Sequence, residues 1–123
     1  IMVADDNDDA AQSLALLLRS AGHEVAVAND GAEAVDLAAR LRPDLAILDI
    51  GMPRLDGYEV AARLRQMPWG RDIGLVALTG WGQQHDKRRA AEAGFDLHVT
   101  KPLDPDTLEE LVEIRPRTPA IPA

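Results

Sequence analysis

Short aliphatic runs alternate with segments of helical periodicity along the chain, and this alternation predicts its secondary structure. Five runs are interpreted as strands, at 1–4, 23–28, 44–49, 73–78 and 95–99. Runs this short and aliphatic are typical of strands that are buried in a parallel sheet. The segments between them carry apolar residues three or four positions apart, as amphipathic helices do. The pattern therefore predicts βα units and an α/β fold.

Capping residues and apolar positions locate the first three helices. The first is predicted to be capped by Asp8 or Asp9 and to end at Gly22, and the second must stop before Pro43. The predicted inner faces are Ala10, Leu14, Leu17, Leu18 and Ala21 in the first helix, Ala34, Ala38 and Leu41 in the second, and Val60, Ala61 and Leu64 in the third.

The later helices differ in how much apolar surface they offer. The segment 83–93 carries almost no large apolar residue, so we expect a helix that docks weakly and is among the more mobile elements. Pro105 is predicted to begin a last helix that turns Leu108, Leu111 and Val112 inward.

The length of 123 residues fits one ordinary domain. We assign residues 1–114 to this domain and 115–123 to a proline-rich tail or linker, because the three prolines there cannot continue a helix. Few aromatic residues are present, so the core is expected to be aliphatic. Since the sequence opens directly in a strand at Ile1, we expect that it was cut from a longer chain.

Charge and composition exclude several classes of function. The net charge of −8 argues against direct nucleic-acid binding, which needs clustered Lys and Arg. The absence of cysteine excludes disulfides, thiolate catalysis and cysteine-bound zinc. No apolar run approaches the roughly 18 residues of a membrane-spanning helix, so no membrane insertion is expected. A cytoplasmic location is the expectation.

Polar residues follow three of the predicted strands directly. Asp5 and Asp6 follow the first, Asp49 ends the third and Thr79 follows the fourth. A flavodoxin-like, doubly wound sheet of five βα units has the strand order 2-1-3-4-5, which brings these strand ends together at one edge. Lys101 would reach the same edge from the fifth strand.

The chemistry of such a cluster favours a divalent metal. Neighbouring carboxylates repel one another, and oxygen ligands without histidine or cysteine favour a hard cation such as Mg²⁺. Asp49 would then be a nucleophile toward a phosphoryl group, with Thr79 donating a hydrogen bond and Lys101 forming an ion pair to the phosphoryl oxygens.

These motifs resemble those of response-regulator receiver domains from Ile1 to about Ile114. The matching positions, in the family's order and spacing, are Asp5 and Asp6, Asp49 with Met52, Pro53, Asp56 and Gly57, Thr79 with Gly80, and Lys101 with Pro102. The resemblance implies that Asp49 is the phosphoacceptor. It further implies that Asp5, Asp6, Asp49 and the backbone carbonyl of Gly51 bind Mg²⁺.

The same resemblance implies the partners and the switch. The phosphoryl donor would be a histidine kinase or a histidine phosphotransfer domain, and the segments 49–53 and 78–82 are most similar to receivers of hybrid sensor histidine kinases. Thr79 and His98 would be the switch residues, although many receivers have Tyr or Phe where this chain has His98. The face of the fourth helix, fifth strand and fifth helix is a candidate dimer surface.

Two other classes of function compete with this interpretation. An Mg²⁺-dependent phosphatase or phosphotransferase with an aspartate nucleophile would use similar chemistry, but enzymes of the haloacid-dehalogenase type carry the nucleophile after the first strand. A nucleotide- or flavin-binding module would need a phosphate cradle, whereas the loop 5–9 is acidic and has no glycine. The chain is therefore interpreted as a signalling domain and not as an enzyme.

Overall fold

The computed structural model describes residues 1–52, 55–79, 87–100 and 106. Strands and helices alternate within these ranges, as the hydrophobic pattern predicts. The strands are β1 (Met2–Ala4), β2 (Ala26–Ala28), β3 (Leu45–Asp49), β4 (Gly74–Thr79) and β5 (Leu97–Thr100). The helices are α1 (Asp8–Ser20), α2 (Gly31–Leu41), α3 (Gly57–Gln66) and α4 (Lys87–Ala93). The helix predicted from Pro105 and the proline-rich tail lie outside the described residues.

The five strands form one parallel sheet in the order β2-β1-β3-β4-β5. This order confirms the flavodoxin-like prediction. The register matters for the site, because Ala4 pairs with both Ala28 and Leu48, and Asp49 pairs with Leu78. Asp5 therefore leaves β1 level with Asp49, at the carboxyl edge of the sheet.

Alternate strand residues supply two separate apolar clusters, one on each face of the sheet. On one face, Val3, Ile47 and Val76 pack with Leu14 and Leu18 of α1. The opposite face of the sheet packs against α2, α3 and α4 through residues that include Met2, Leu48, Leu75, Val60, Leu64, Ala34, Ala38 and Ala90. Because both faces are covered, the central strands are fully buried, as their aliphatic sequences predict.

Several predicted inner positions of the helices are wrong. Ala11 and Ala15 are buried on α1 in place of Ala10 and Ala21, and Leu17 is 48% exposed. Leu41, which was predicted to face inward from α2, is 53% exposed. Leu17 lies at the border of the apolar stripe of α1, whereas Leu41 is the last residue of α2 and follows Ala38, the last buried residue of that helix. The predicted face of α3 is confirmed.

Some predicted ends of elements are also wrong. The cap of α1 is Asn7, whose side-chain oxygen accepts the Ala10 N–H at 3.1 Å, and not Asp8 or Asp9. The second strand begins at Ala26 and the fifth runs from Leu97 to Thr100, because pairing with the neighbouring strand sets strand ends that an apolar pattern does not contain. The prediction that α2 stops before Pro43 is confirmed.

Helix α4 offers only small apolar side chains to the core, namely Ala90 and Ala93. A polar contact adds to this limited packing, since Arg89 forms an ion pair with Asp56 at 3.3 Å. The Arg89 guanidinium also lies 4.5 Å from the centre of the Tyr58 ring, in the geometry of a cation–π contact. Arg89 therefore connects α4 to the beginning of α3, in addition to the packing of the two alanines.

Candidate functional site

Three carboxylates meet at the carboxyl edge of the sheet. Ligand oxygens of Asp5, Asp6 and Asp49 all lie within 4.8 Å of one another. Asp5 and Asp49 are buried, with exposed fractions of 2% and 4%, whereas Asp6 is exposed. The predicted acidic cluster is therefore present, with one side open to solvent.

The loop after β1 is held in place by its own backbone. The Asp5 N–H donates to the Ala28 carbonyl at 3.0 Å, which extends the pairing with β2 by one residue. The Asn7 N–H donates to Asp5 Oδ1 at 3.0 Å, so the chain turns back on the buried carboxylate before α1 begins. Asp5 is thus oriented by two neighbouring segments of backbone.

The loop after β3 orients Asp49 in a similar way. The Gly51 N–H donates to Asp49 Oδ1 at 3.1 Å, and the Ile50 N–H donates to the Leu78 carbonyl at 3.2 Å. These contacts fix the Asp49 carboxylate relative to both β4 and the loop. Gly51 itself is exposed and lies two residues after Asp49. Binding of Mg²⁺ by the Gly51 carbonyl stays a prediction.

Gly57 allows α3 to begin directly against the end of β3. A Cβ atom at this position would lie 2.7 Å from the Asp49 carbonyl oxygen and 2.8 Å from the Ile50 Cα. Both neighbours are backbone atoms that cannot move without shifting the strand. A glycine is therefore required by the close approach of two backbones.

We expect Gly57→Ala to lower the free energy of unfolding by about 1 to 3 kcal/mol, the usual cost of an overpacked core position. The added methyl group must push α3 away from Asp49, so the Gly51 amide resonance should shift as well. Urea unfolding and an amide NMR spectrum measure the two effects. Unfolding at the same urea concentration as the unaltered chain would contradict this account of Gly57.

Thr79 ends β4 beside the cluster, and its side chain is buried. Its hydroxyl donates to the Val99 carbonyl on β5 at 3.3 Å. The hydroxyl therefore contacts the neighbouring strand in this state, whereas the sequence predicts a hydrogen bond to a phosphoryl oxygen. The bond links the edge of the site to β5.

The remaining predicted site residues are His98, which lies on β5, and Lys101, which follows that strand in sequence. His98 is half-buried on β5, with its ring centre 6.2 Å from that of Phe95, which in turn lies edge-on to Tyr58 at 6.1 Å. His98 is therefore partly buried, and its role as a switch residue stays a prediction. Lys101 lies outside the described residues, as does the Gly80 that follows Thr79, so the roles of both stay predictions.

Sequence reasoning did not identify Asn29 as a residue that shapes the site, and it matched Asp56 to the family pattern without predicting its contacts. Asn29 donates from its side-chain amide to the Asp5 carbonyl at 3.3 Å and to Asp8 Oδ1 at 3.0 Å, which connects the loops after β1 and β2. Asp56 accepts the Glu59 N–H at 2.9 Å as the cap of α3 and also contacts Arg89. The sequence does indicate a helix cap at Asp56, because an aspartate precedes a glycine at the start of a helix. Nothing in the local pattern distinguishes Asn29 from a turn residue.

The cluster fits a hard divalent cation in its donor chemistry. All three side chains offer carboxylate oxygen, which Mg²⁺ prefers. Oxygen ligands on opposite sides of Mg²⁺ lie about 4 Å apart, because each Mg–O bond is about 2.0 to 2.1 Å. Separations of up to 4.8 Å need only a small contraction or a bridging water. At an effective dielectric constant of 20, unit charges this far apart repel by about 3 kcal/mol, which a cation would reverse.

Comparison with known proteins gives a match over almost the whole chain. The family model described as a response regulator receiver domain matches residues 1–113. The response regulator MprA of Mycobacterium leprae is 39% identical over 112 residues, which are 91% of this chain and 47% of that protein. The chain thus spans about half the length of that relative.

Solved structures show the same likeness. The receiver domain of the sensor histidine kinase PA1611 from Pseudomonas aeruginosa, which has a magnesium ion in its active-site cleft, is 32% identical with a TM-score of 0.78, over 92% of this chain and 90% of that one. The chemotaxis protein CheY4 of Vibrio cholerae is 27% identical with a TM-score of 0.84, over 91% and 93%.

Receiver domains are signalling domains, and they receive a phosphoryl group from histidine kinases or phosphotransfer domains. Within the described ranges, no helix has the length and apolar character needed to cross a bilayer. Since the family match begins in β1 and continues past β5, and the sheet order is that of the family, the chain belongs to the receiver domains of two-component response regulators.

Proposed function

We propose that Asp49 accepts the phosphoryl group and that Asp5, Asp6, Asp49 and the Gly51 carbonyl bind the Mg²⁺ ion that the reaction needs. The observation that carries this proposal is the approach of three carboxylates to within 4.8 Å at the carboxyl edge of the sheet. Burial of Asp5 and Asp49 makes their mutual repulsion costly without a cation. The magnesium ion seen in the PA1611 receiver supports the choice of metal.

In the proposed reaction, a carboxylate oxygen of Asp49 attacks the phosphorus of a phosphohistidine donor. The new P–O bond forms as the P–N bond breaks, and the imidazole nitrogen keeps the electron pair of the broken bond. The product is an acyl phosphate on Asp49, which water later hydrolyses to aspartate and inorganic phosphate. Bound Mg²⁺ supplies charge stabilisation for the phosphoryl oxygens.

The chain's own groups orient and stabilise the phosphoryl group. The Gly51 N–H holds Asp49 in one orientation. Lys101 forms an ion pair with a phosphoryl oxygen, and Thr79 donates its hydroxyl to another. Because the Thr79 hydroxyl donates to Val99 in the present state, it must exchange a β5 carbonyl for the phosphoryl group.

This exchange is the proposed start of the conformational switch. Loss of the bond to Val99 would loosen the contact between β4 and β5 next to His98, which responds by a change of ring position. The altered face would consist of α4, β5 and the helix predicted from Pro105, and it would serve as the dimer or output surface. Such a switch shifts the populations of two existing states.

We also propose how the chain is organised and where it acts. Residues 1–114 form the receiver, residues 115–123 form a tail or linker, and the segments 49–53 and 78–82 favour a place in a hybrid sensor histidine kinase. The domain works in the cytoplasm, does not contact nucleic acid directly, and catalyses only its own phosphorylation and dephosphorylation.

Phosphorylation by a small donor tests the role of Asp49. Incubated with Mg²⁺ and acetyl phosphate, the chain is expected to gain one phosphoryl group, measured by intact mass, and to lose it on exposure to base. Asp49→Asn should gain none. Asp44→Asn is the matched control, because Asp44 precedes the other end of the same strand and should leave the adduct unchanged.

The possible outcomes separate the hypotheses. A stoichiometric adduct that only Asp49→Asn abolishes supports the phosphoacceptor role. Rapid multiple turnover of acetyl phosphate would instead support an Mg²⁺-dependent phosphatase. No adduct from acetyl phosphate or from a phosphorylated histidine phosphotransfer domain would refute the proposal.

A further inference from the structure

The side chain of Asn29 connects the acidic loop after β1 to the turn after β2. Its Nδ2 donates to the Asp5 carbonyl oxygen at 3.3 Å and to Asp8 Oδ1 at 3.0 Å. Both partners are acceptors, so only the amide nitrogen of Asn29 can occupy this position. We call these two hydrogen bonds the Asn29 bridge.

The loop that the Asn29 bridge holds carries a high density of negative charge. Asp5, Asp6, Asp8 and Asp9 lie within five consecutive positions, and Asp30 caps α2 next to Asn29. Carboxylates this close would drive the loop apart if nothing held it. A neutral amide is well suited to hold it, since it donates to a carboxylate without adding another charge.

The same turn also contacts the loop that carries Asp49. A Cβ atom on Gly31 would overlap both the Leu55 carbonyl oxygen and the Leu55 Cβ, so α2 begins in tight contact with the segment between β3 and α3. Asn29 and Gly31 therefore contact the two loops that supply the carboxylate cluster. Neither residue belongs to the cluster.

We propose that Asn29 is a positioning residue for the metal site, and this inference rests on the proposed Mg²⁺ binding. The Asn29 bridge fixes the backbone of Asp5 and the first turn of α1, and with them the separation of Asp5 and Asp6 from Asp49. The structure thus assigns to Asn29 the role of an outer partner that sets metal affinity without touching the metal. Loss of such partners commonly weakens metal binding by about tenfold or more.

Magnesium titration of the folded chain tests this role. The backbone amides of Asn7 and Gly51 donate to Asp5 and Asp49, so their NMR shifts report Mg²⁺ binding directly. Asn29→Ala and Asn29→Leu both remove the bridge, and leucine also keeps the branched shape of the side chain. Each is expected to raise the Mg²⁺ dissociation constant by about tenfold.

Gln12→Ala is the matched control. The Gln12 side-chain amide also donates to Asp8 Oδ1, at 3.4 Å, but from within α1, so it connects no loops. This variant should change the Mg²⁺ dissociation constant by less than about twofold. The Asn29 variants should lose about 1 to 2 kcal/mol of stability in EDTA with their two hydrogen bonds. Urea unfolding in EDTA is therefore used to confirm that each variant is fully folded under the conditions of the Mg²⁺ titration, which separates positioning from general stability.

Unchanged Mg²⁺ affinity in the Asn29 variants would overturn the inference, as would an equal loss in Gln12→Ala. Either result would leave the proposed function intact. In contrast, a chain that binds Mg²⁺ and loses affinity as expected, yet takes no phosphoryl group, would overturn the proposed function and support the role of Asn29.

Discussion

Replacing Arg65 by alanine is expected to lower the free energy of unfolding by about 3 kcal/mol, because an ion pair and several part-buried hydrogen bonds are lost together. The guanidinium of Arg65 lies 3.0 Å from Asp96 Oδ2, and the exposed fractions of the two side chains are 13% and 21%. The same Asp96 oxygen accepts the Leu75 N–H at 2.9 Å, so the pair is connected directly to β4. Urea or thermal unfolding measures the loss.

The size of the effect follows from the number of elements that Arg65 connects. Its guanidinium donates to backbone carbonyls after α3, before β4 and after α4. The acceptors are Gly70 at 3.0 Å, Arg71 at 3.1 Å, Ile73 at 2.7 Å and Gly94 at 2.8 and 3.1 Å. Removal of the side chain takes the arginine donor away from all four carbonyls, of which those of Gly70, Ile73 and Gly94 are part-buried, and leaves the Asp96 carboxylate without its ion-pair partner.

Two further variants identify the cause of the loss. Arg63→Ala removes an exposed arginine from the same helix and should change stability by less than about 0.5 kcal/mol. Arg65→Lys keeps the charge but not the planar fork of donors, so it should recover only part of the loss. If Arg63→Ala and Arg65→Ala were equally destabilising, the guanidinium contacts of Arg65 would not be the cause of the loss.

Arg65 also shows where sequence patterns are insufficient. It lies beside Leu64 on α3, where the local pattern indicates an ordinary exposed arginine. Its partners lie up to 31 positions away in the chain. Only the close approach of α3, α4, β4 and β5 brings them together. Contacts of this kind depend on the folded backbone and leave no periodic signal.

The sheet and its acidic edge could be predicted because both depend on local features. Buried strands of a parallel sheet are short and aliphatic, and the residue that follows each strand necessarily reaches the carboxyl edge. The order of Asp5, Asp49 and Thr79 along the chain was therefore sufficient to place them together. The hydrogen-bond partner of each group could not be predicted, as the bond from the Thr79 hydroxyl to the Val99 carbonyl shows.

The errors in the helices have a related cause. Leu17 and Leu41 satisfy helical spacing, yet Leu17 lies at the edge of its apolar stripe, Leu41 lies at the end of α2, and both are exposed. Spacing predicts which residues share a face, but the angle at which a helix lies on the sheet decides how far that face extends. Asn7 caps α1 because the chain turns at this residue, where its N–H donates to the Asp5 carboxylate. The spacing of apolar residues contains no sign of this turn.

Replacing Asp49 by asparagine is expected to stabilise the chain in the absence of metal, by about 1 to 3 kcal/mol. The change removes one of three like charges within 4.8 Å of one another. Asparagine has nearly the same shape, and its oxygen can still accept the Gly51 N–H, so little packing is lost. A buried charge is thereby exchanged for a neutral group that keeps its orienting bond.

Magnesium should offset most or all of this difference in stability. At a concentration a hundredfold above its dissociation constant, a ligand that binds only the folded state adds about 2.7 kcal/mol. The unaltered chain should gain this increment, whereas Asp49→Asn should gain much less because it has lost a carboxylate ligand. Asp44→Asn, at the other end of β3, should gain as much as the unaltered chain. Urea unfolding in EDTA and in saturating Mg²⁺ measures the stability of each variant with and without metal. If Asp49→Asn were less stable than the unaltered chain in EDTA, like-charge repulsion would not dominate the site.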